Sequence, residues 1–251
     1  MLAKLDIKLD SGENLLSYLM SSSFHGALMK MLPGDYADEL HESALHPYTQ
    51  HLEEDNEGGW HWVITALNQE TTEKLIQENV MREKEIYLDK HDFSVQLLEK
   101  KYTEVSEDAL DRYFYRKEAE RSLTIRFLTP TAFKQRKRYV NYPDLRLIYG
   151  SLLKKYAAAR QEEMAEELLE QLVSATSISR YSLHSTWFSL ENVQVPAFAG
   201  SMTLRLDGTP MQANLAQLLF FFGSYSGIGI KASIGMGAIA VGKTDKRKIV
   251  K

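Results

Sequence analysis

The order in which strands and helices are predicted constrains the fold of this chain more than any other feature of its 251 residues. Leu5, Ile7 and Leu9 alternate with charged residues, which predicts a half-buried first strand. The elements predicted in the first half are, in order, a strand around residues 5–9, a helix over 15–32, a short helix over 37–45, strands over 46–52 and 60–67, a helix over 71–81, and strand-like sequence over 86–105.

The second half gives the same order. Its predicted elements are a linking helix over residues 106–117, a strand over 122–130, helices over 143–160 and 162–173, strands over 181–190 and 199–208, a helix over 211–222, and a strand over 237–243. Strand, helix, strand, strand, helix, strand is the ferredoxin-like order. We therefore predict an α+β protein of two tandem ferredoxin-like (RRM-like) β-α-β-β-α-β domains, residues 1–117 and 118–251. Each sheet would leave one face free for a ligand or for the other domain.

The composition excludes several classes of protein. With 44% hydrophobic and 25% charged residues, the chain is expected to fold. It has no cysteine, which excludes disulfides, thiolate nucleophiles and cysteine-ligated metals. Without a long apolar run or a signal-like start, we expect a cytoplasmic protein with no membrane association. The acidic run over residues 35–57 lacks the spacing of a two-metal nuclease, so we expect no metal and no cofactor.

The net charge of −4 hides an asymmetry. Residues 1–111 carry 9 Lys and Arg against 23 Asp and Glu, whereas residues 112–251 carry 21 against 11. A chain that joins an acidic half to a basic half is expected to bind an anionic partner through the basic half.

A dense basic cluster lies in the second half. It is followed by Tyr139 and Tyr142, whose rings can stack on bases while the basic side chains neutralise phosphates. Its basic residues are Lys134, Arg136, Lys137 and Arg138. This pattern favours a nucleic acid partner, although a solvated basic surface would have the same composition.

A glycine-rich loop, GSYSGIGIKASIGMG, precedes the last strand. Its doubled G-x-G spacing places Gly227, Gly229, Gly235 and Gly237 around Lys231. Successive backbone N–H groups in such a loop can bind an anion. Because the loop follows a helix and precedes a strand, it is neither a P-loop nor a dinucleotide fingerprint.

Two tandem ferredoxin-like units that end in this loop resemble the RAMP superfamily of CRISPR systems. Within it, the chain resembles the endoribonucleases that cut the CRISPR precursor transcript inside its repeats. The segments FHGALMKML and ADELHESALHPYTQ resemble the family's first helix and the segment after it. FLTPTAF, followed by basic residues and PDL, resembles its mid-chain motif.

The resemblance implies metal-independent cleavage of CRISPR repeat RNA. The ribose 2′-OH would attack the adjacent phosphate and leave a 5′-OH and a 2′,3′-cyclic phosphate. The resemblance also allows a homodimer and attachment to a CRISPR effector complex.

Candidate catalytic residues cluster near the N-terminus. Histidine suits transfer of the 2′-OH and leaving-group protons because its ordinary pKa is about 6.5, and lysine suits stabilisation of the phosphorane. The resemblance places the base of many members at the position of His41. The candidates, in order, are His41, His25, Lys30, His46 and Tyr48.

Two alternatives stay open at this point. A non-catalytic guide-RNA-binding subunit of an effector complex would need the same loop but not the histidine cluster. A small-molecule enzyme on a ferredoxin-like fold would bind RNA weakly, without the steep salt dependence of phosphate contacts.

Overall fold

Two antiparallel sheets, one from each half of the chain, form the framework of the protein. The computed structural model describes residues 1–43, 45–163, 166–190 and 193–242. Within these residues, no helix is both long enough and apolar enough to span a membrane.

The first half forms a five-stranded sheet. Its elements are β1 (Leu2–Asp10), a 3-10 turn (Tyr18–Met20), α1 (Ser21–Met31), α2 (Gly34–Glu42), β2 (Tyr48–Glu54), β3 (Trp60–Ala66), α3 (Gln69–Thr71), a π-helix (Thr72–Val80), β4 (Glu85–Leu88), β5 (Phe93–Val105) and the linking helix α4 (Glu107–Phe114). The strand order is β2-β3-β1-β5-β4, so four strands have the ferredoxin-like order and β4 is added at the edge. The sequence prediction of one strand-like region over residues 86–105 is wrong here, because a polar turn with Asp92 at φ 57° divides it.

The second half forms a four-stranded sheet with the order β11-β6-β10-β9, again ferredoxin-like. Its elements are β6 (Ser122–Thr131), β7 (Phe133–Gln135), β8 (Arg138–Val140), α5 (Leu145–Arg160), α6 (Glu166–Ser174), β9 (Thr176–Leu190), β10 (Val193–Leu206), α7 (Pro210–Ser226), a 3-10 turn (Ala232–Ile234) and β11 (Ile239–Gly242). The predicted fold class, α+β with tandem ferredoxin-like units, is confirmed. The predicted elements also included Ala44, Met164, Ala165 and Lys243, which lie outside the described residues.

Local sequence determines where the helices begin. Leu32 and Pro33 are extended between α1 and α2, so the two helices meet at a sharp break. The side chain of Asp144 accepts a hydrogen bond from the Leu147 N–H and caps α5. Thr209 and Gln212 form a capping box at the start of α7.

Strand β1 separates two apolar cores by simple alternation. Ala3, Leu5 and Ile7 are fully buried in the core beneath α1, together with Phe24. Leu2 lies on the other face of the strand, in a cluster that includes residues of both halves. The period of two therefore assigns one face of the first sheet to its own helices and the other to the second half.

The second half covers the face of the first sheet that sequence analysis left free. The hydroxyls of Thr49 and Thr65 both donate to the carbonyl of Tyr225, at 3.0 and 2.5 Å. Beside them, Leu218 and Phe222 of α7 are buried in the shared cluster with Leu2. This face is an interface between the halves, and the glycine-rich loop leaves α7 at its edge.

Candidate active site

A cavity of about 450 Å³ lies where the glycine-rich loop meets the first half of the chain. Residues of α1, α2, the start of β2, α5 and the loop line it. These lining residues include His25, Met29, His41, Leu45, His46, Tyr48, Lys155, Lys231, Ala232 and Ser233. We call this space the histidine cavity; it brings together four of the five catalytic candidates.

The three histidines reach the cavity from three adjacent segments. His25 lies in the middle of α1, His41 in the last turn of α2, and His46 just before β2. The rings of His25 and His46 lie 6.3 and 5.7 Å from the ring of Tyr48, measured between centroids. The break between α1 and α2 changes the direction of the chain between His25 and His41, and both histidines line the cavity.

His25 stays neutral at ordinary pH. Burial, together with the positive charges of His46 and His41, lowers its pKa to about 4. Its Nδ1 is buried and has no hydrogen-bond partner among the described residues. A neutral imidazole carries a proton on one nitrogen only, so it can donate one hydrogen bond and accept another but has no positive charge at pH 7.

His46 has a fixed tautomer when neutral. Its Nδ1 lies 2.7 Å from the carbonyl oxygen of Leu40. Because a carbonyl only accepts hydrogen bonds, Nδ1 must carry the proton. Nε2 is then the nitrogen that can exchange a proton with a substrate, and the Leu40 carbonyl fixes the ring orientation.

Tyr48 is a buried neutral phenol. Only 1% of its surface is exposed, and burial raises its pKa well above the ordinary value. Its hydroxyl donates weakly to the sulfur of Met29 at 3.9 Å. Tyr48 can therefore pack against the two imidazoles and orient them, but it cannot serve as a base near neutral pH.

Lys30 does not line the histidine cavity. Its ammonium forms an exposed ion pair with Asp89. Five residues separate Lys30 from His25 on α1, which places the two side chains about 140° apart around the helix. The helix that carries His25 into the cavity thus turns Lys30 away from it.

The four glycines of the loop are required by packing. All have positive φ, between 63° and 109°. A Cβ at Gly229 would lie 2.2 Å from the carbonyl oxygen of Ala132, and one at Gly235 would lie 2.3 Å from the Cβ of Ser21 in α1. Through these contacts the loop packs between the β6–β7 junction and the first half, with no room for a side chain at either glycine.

The N–H groups of these glycines already have partners within the protein. Their acceptors are the carbonyl oxygens of Gly223, Ala232 and Pro130 and the hydroxyl of Ser151. The predicted anion-binding concavity therefore has no free glycine amide. Instead, the loop carries the exposed Lys231, at φ 60°, to the rim of the histidine cavity.

Sequence reasoning missed Lys155. Its ammonium is buried and donates to the carbonyls of Ser226 and Gly227, at 2.9 and 3.0 Å. Burial lowers its pKa to about 7. Ser151 and Lys155 are four residues apart on α5 and both contact the loop, so their i, i+4 spacing was the available signal.

The predicted basic cluster forms an exposed hairpin. Strands β7 and β8 flank a two-residue turn in which Arg136 and Lys137 have φ of 47° and 67°. Residues other than glycine rarely adopt such positive φ values, and two-residue turns of this kind prefer glycine and asparagine. Here both turn positions are occupied by basic residues. Its first strand follows Ala132, which contacts the glycine-rich loop, so the hairpin extends from the edge of the cavity region.

Across residues 1–43, 45–163, 166–190 and 193–242, no three His, Cys, Asp or Glu residues are grouped so that they could hold a metal ion.

Known proteins resemble this chain over most of its length. The family described as CRISPR-associated endoribonuclease Cas6 matches residues 125–239. The CRISPR-associated endoribonuclease Cas6 of Streptococcus thermophilus is 34% identical over 232 residues, covering 91% of this chain and 93% of the relative. The Cas6 of Mycobacterium tuberculosis is 33% identical over 219 residues, 86% of this chain and 70% of the relative.

Solved structures show the same fold. A Cas6 product complex superposes with a TM-score of 0.78 at 23% identity, covering 96% of this chain and 99% of that chain. The expected family and the endoribonuclease activity are confirmed by the curated relatives. This chain belongs to the Cas6 family of CRISPR-associated endoribonucleases.

Proposed function

We propose that the protein cleaves CRISPR precursor RNA within its repeats in the histidine cavity, without a metal ion. A ribose 2′-oxygen forms a bond to the adjacent phosphorus, and the bond from phosphorus to the 5′-oxygen breaks. One protein group takes the 2′-OH proton and another protonates the leaving 5′-oxygen, giving a 2′,3′-cyclic phosphate and a 5′-OH. The observation that carries this proposal is the convergence of three histidines and two lysines on one cavity.

His41 and His46 are the proposed proton carriers. His41 is exposed at the cavity and takes the 2′-OH proton, as the family resemblance implies. His46 presents Nε2 to the leaving oxygen while the Leu40 carbonyl holds Nδ1. General acid–base catalysis of this kind accelerates a reaction by about 10²- to 10⁴-fold per group.

His25 and Tyr48 have orienting roles in this proposal. With a pKa of about 4, the His25 imidazole is a poor match for a base that works near pH 7. It instead offers a neutral hydrogen-bonding group to the ribose or phosphate. Tyr48 supports the rings of His25 and His46 from one side.

Lys231 supplies positive charge for the phosphorane, and Lys155, whose pKa burial lowers to about 7, is held in its charged form by the anionic phosphate bound beside it. Both line the cavity, whereas Lys30 is paired with Asp89 outside it. Lys155 is held by two carbonyl acceptors, so its position changes little during the reaction. A preorganised cation in a partly buried site stabilises developing charge more strongly than one in water.

The hairpin and the loop form the proposed RNA grip. The side chains of residues 134–138 are exposed and basic at four of five positions. They would contact RNA phosphates beyond the cavity. Contact of RNA with Gly227, Gly229, Gly235 and Gly237 stays a prediction, and Lys231 is the loop residue best placed for it.

The test uses repeat RNA and purified protein in EDTA. Cleavage should proceed with the chelator present and should stop when the scissile nucleotide carries a 2′-deoxy sugar. The product termini, mapped by their response to phosphatase and kinase, should be a cyclic phosphate and a 5′-OH. Cleavage that requires a divalent ion, or that survives the 2′-deoxy substitution, contradicts the mechanism.

Further parts of the proposal rest on the sequence. We propose that the chain divides into units 1–117 and 118–251, supported by the ferredoxin-like sheet in each and by helix α4, which ends the first unit. A cytoplasmic location follows from the substrate, because transcripts are made there. Retention of product RNA in an effector complex and assembly into a homodimer rest on the family resemblance alone.

A further inference from the structure

A second cavity, of about 500 Å³, adjoins the histidine cavity. It lies between α5, α6, the start of β7 and the glycine-rich loop. Leu45, Lys155, Gly229 and Ile230 line both spaces, so the two cavities share a wall. On its other side the second cavity reaches Lys134, the first basic residue of the hairpin.

Its walls combine an apolar slot with positive charge. The apolar lining residues are Leu45, Phe133, Leu147, Leu169 and Ile230, and the charged ones are Lys134, Arg146, Lys154, Lys155, Glu166 and Glu170. Arg146 forms a two-pronged ion pair with Glu170, which neutralises both. Lys134 and Lys154 make no ion pair within the described part of the chain and are exposed at the rim.

Gly150 keeps this space open. It lies inside helix α5, where glycine is the least favourable residue after proline. A Cβ there would meet Leu169 at 3.9 Å, an ordinary contact distance, and nothing nearer. Neither backbone conformation nor helix packing therefore demands glycine at this position, whereas a side chain would occupy the cavity.

We infer that the second cavity holds one unstacked nucleobase of the substrate RNA, in the nucleotide next to the scissile phosphate. This inference rests on the proposed function of the histidine cavity. The volume lies in the range of sites for small ligands, and the apolar slot suits the faces of a base. Lys134 and Lys154 at the rim suit the phosphate of the same nucleotide, and the shared wall places that nucleotide beside the cleaved bond.

The test replaces Gly150→Leu to fill the slot and uses RNA with single abasic positions. Binding is measured with RNA that carries a 2′-deoxy sugar at the scissile nucleotide, so it is independent of cleavage. In the wild type, one abasic position beside the scissile phosphate should weaken binding about 10-fold. Gly150→Leu should bind intact RNA about 10-fold more weakly and should no longer respond to that abasic position.

Ala158→Leu is the matched control. It adds the same side chain on the same helix, about two turns further along and outside this cavity, and should bind intact RNA like the wild type. Equal binding of intact RNA by Gly150→Leu and the wild type overturns the inference, as does an abasic scan without a sensitive position. If Gly150→Leu does not fold, Lys154→Gln gives the second measurement and should lose about 3-fold in binding.

The two proposals fail differently. If the wild type does not cut the ribose substrate while the abasic pattern is present, the proposed function is wrong; the second cavity then binds a base, but not one beside a cleaved bond. If cleavage follows the proposed chemistry but Gly150→Leu retains full affinity, only the base pocket is wrong.

Discussion

The two halves of the chain have the same strand order and contribute different chemistry. The first sheet is β2-β3-β1-β5-β4 and the second is β11-β6-β10-β9, each with a ferredoxin-like core of four strands. All three histidines of the cavity belong to the acidic first half. The two lysines that line the cavity belong to the second half, as do the glycine-rich loop and the basic hairpin.

This difference explains why the site lies at the interface. An acidic surface repels RNA phosphates, so the half that carries the imidazoles cannot hold the substrate by itself. The second half has the cations but supplies no histidine to the cavity. The loop joins the two contributions, because Gly235 packs on Ser21 while Lys231 reaches the cavity rim.

The largest effect is expected at the proton-transfer residue of the first half. His41→Ala removes the proposed base, so the single-turnover cleavage rate should fall about 10²- to 10⁴-fold. RNA affinity should change little, because the grip belongs to the second half. Single-turnover rates measured with saturating protein do not depend on RNA affinity, so they report the change in the cleavage step alone.

His184→Ala is the control for this prediction. His184 is exposed on β9, away from the histidine cavity, and its replacement should leave the cleavage rate unchanged. If His41→Ala cleaves at the wild-type rate, His41 of the first half is not the base for cleavage.

The next effect tests the contact that joins the halves. Gly235→Ala forces an alanine to φ 109° and brings its Cβ against Ser21. Strain and overpacking together should lower the free energy of unfolding by about 3–4 kcal/mol. Chemical denaturation measures the loss, and cleavage should fall with it as the loop shifts.

Gly12→Ala separates strain from the close contact. Gly12 also has positive φ, 61°, but a Cβ there would meet nothing within 4 Å. This variant should lose only about 1 kcal/mol. Adding Ser21→Gly to Gly235→Ala should recover part of its loss; equal losses at Gly12 and Gly235 would mean that the interface contact is unimportant.

The third prediction concerns how the free energy of unfolding changes at acidic pH through His25 of the first half. Because the pKa of His25 is about 4 in the folded protein and about 6.5 when unfolded, the unfolded chain binds more protons between these values. Stability should therefore fall as the pH drops through this window, by about 3 kcal/mol at most. His25→Gln, which does not titrate, should lose less stability between pH 6.5 and 4.

The comparison is made by denaturation at several pH values, with His184→Gln as the exposed control. Parallel pH profiles for the wild type and His25→Gln would show that His25 is not buried as the structure describes.

Much of this architecture follows from patterns within single elements. The alternation of Leu5, Ile7 and Leu9 located the first strand and its buried face. The position of Lys30 also follows from local geometry, since five residues along one helix separate two side chains about 140° around it. Residues that are close in sequence, such as His25 and Lys30, therefore need not lie on the same side of the helix.

Other features depend on contacts between distant segments. Lys155 is one of 30 basic residues, and its i, i+4 spacing from Ser151 becomes informative only when α5 packs beside the loop. The doubled G-x-G spacing predicted a loop that binds an anion, yet Ser21 and Ala132 explain two of its glycines by packing. Strand β4 was missed because the sequence pattern of residues 86–105 did not show the turn that divides it.

The smallest effect concerns the grip of the second half. Arg136→Ala at the hairpin tip should remove about one phosphate contact and weaken RNA binding a few-fold, equally for different RNA sequences. The slope of log K against log salt should fall by about one, because fewer counterions are released. Lys8→Ala removes an exposed cation from β1 of the acidic half and should change neither quantity. Since both variants lose one positive charge, unequal salt slopes report where RNA lies. Equally reduced slopes would place RNA on both halves, and two unchanged slopes would mean that the hairpin tip does not contact RNA.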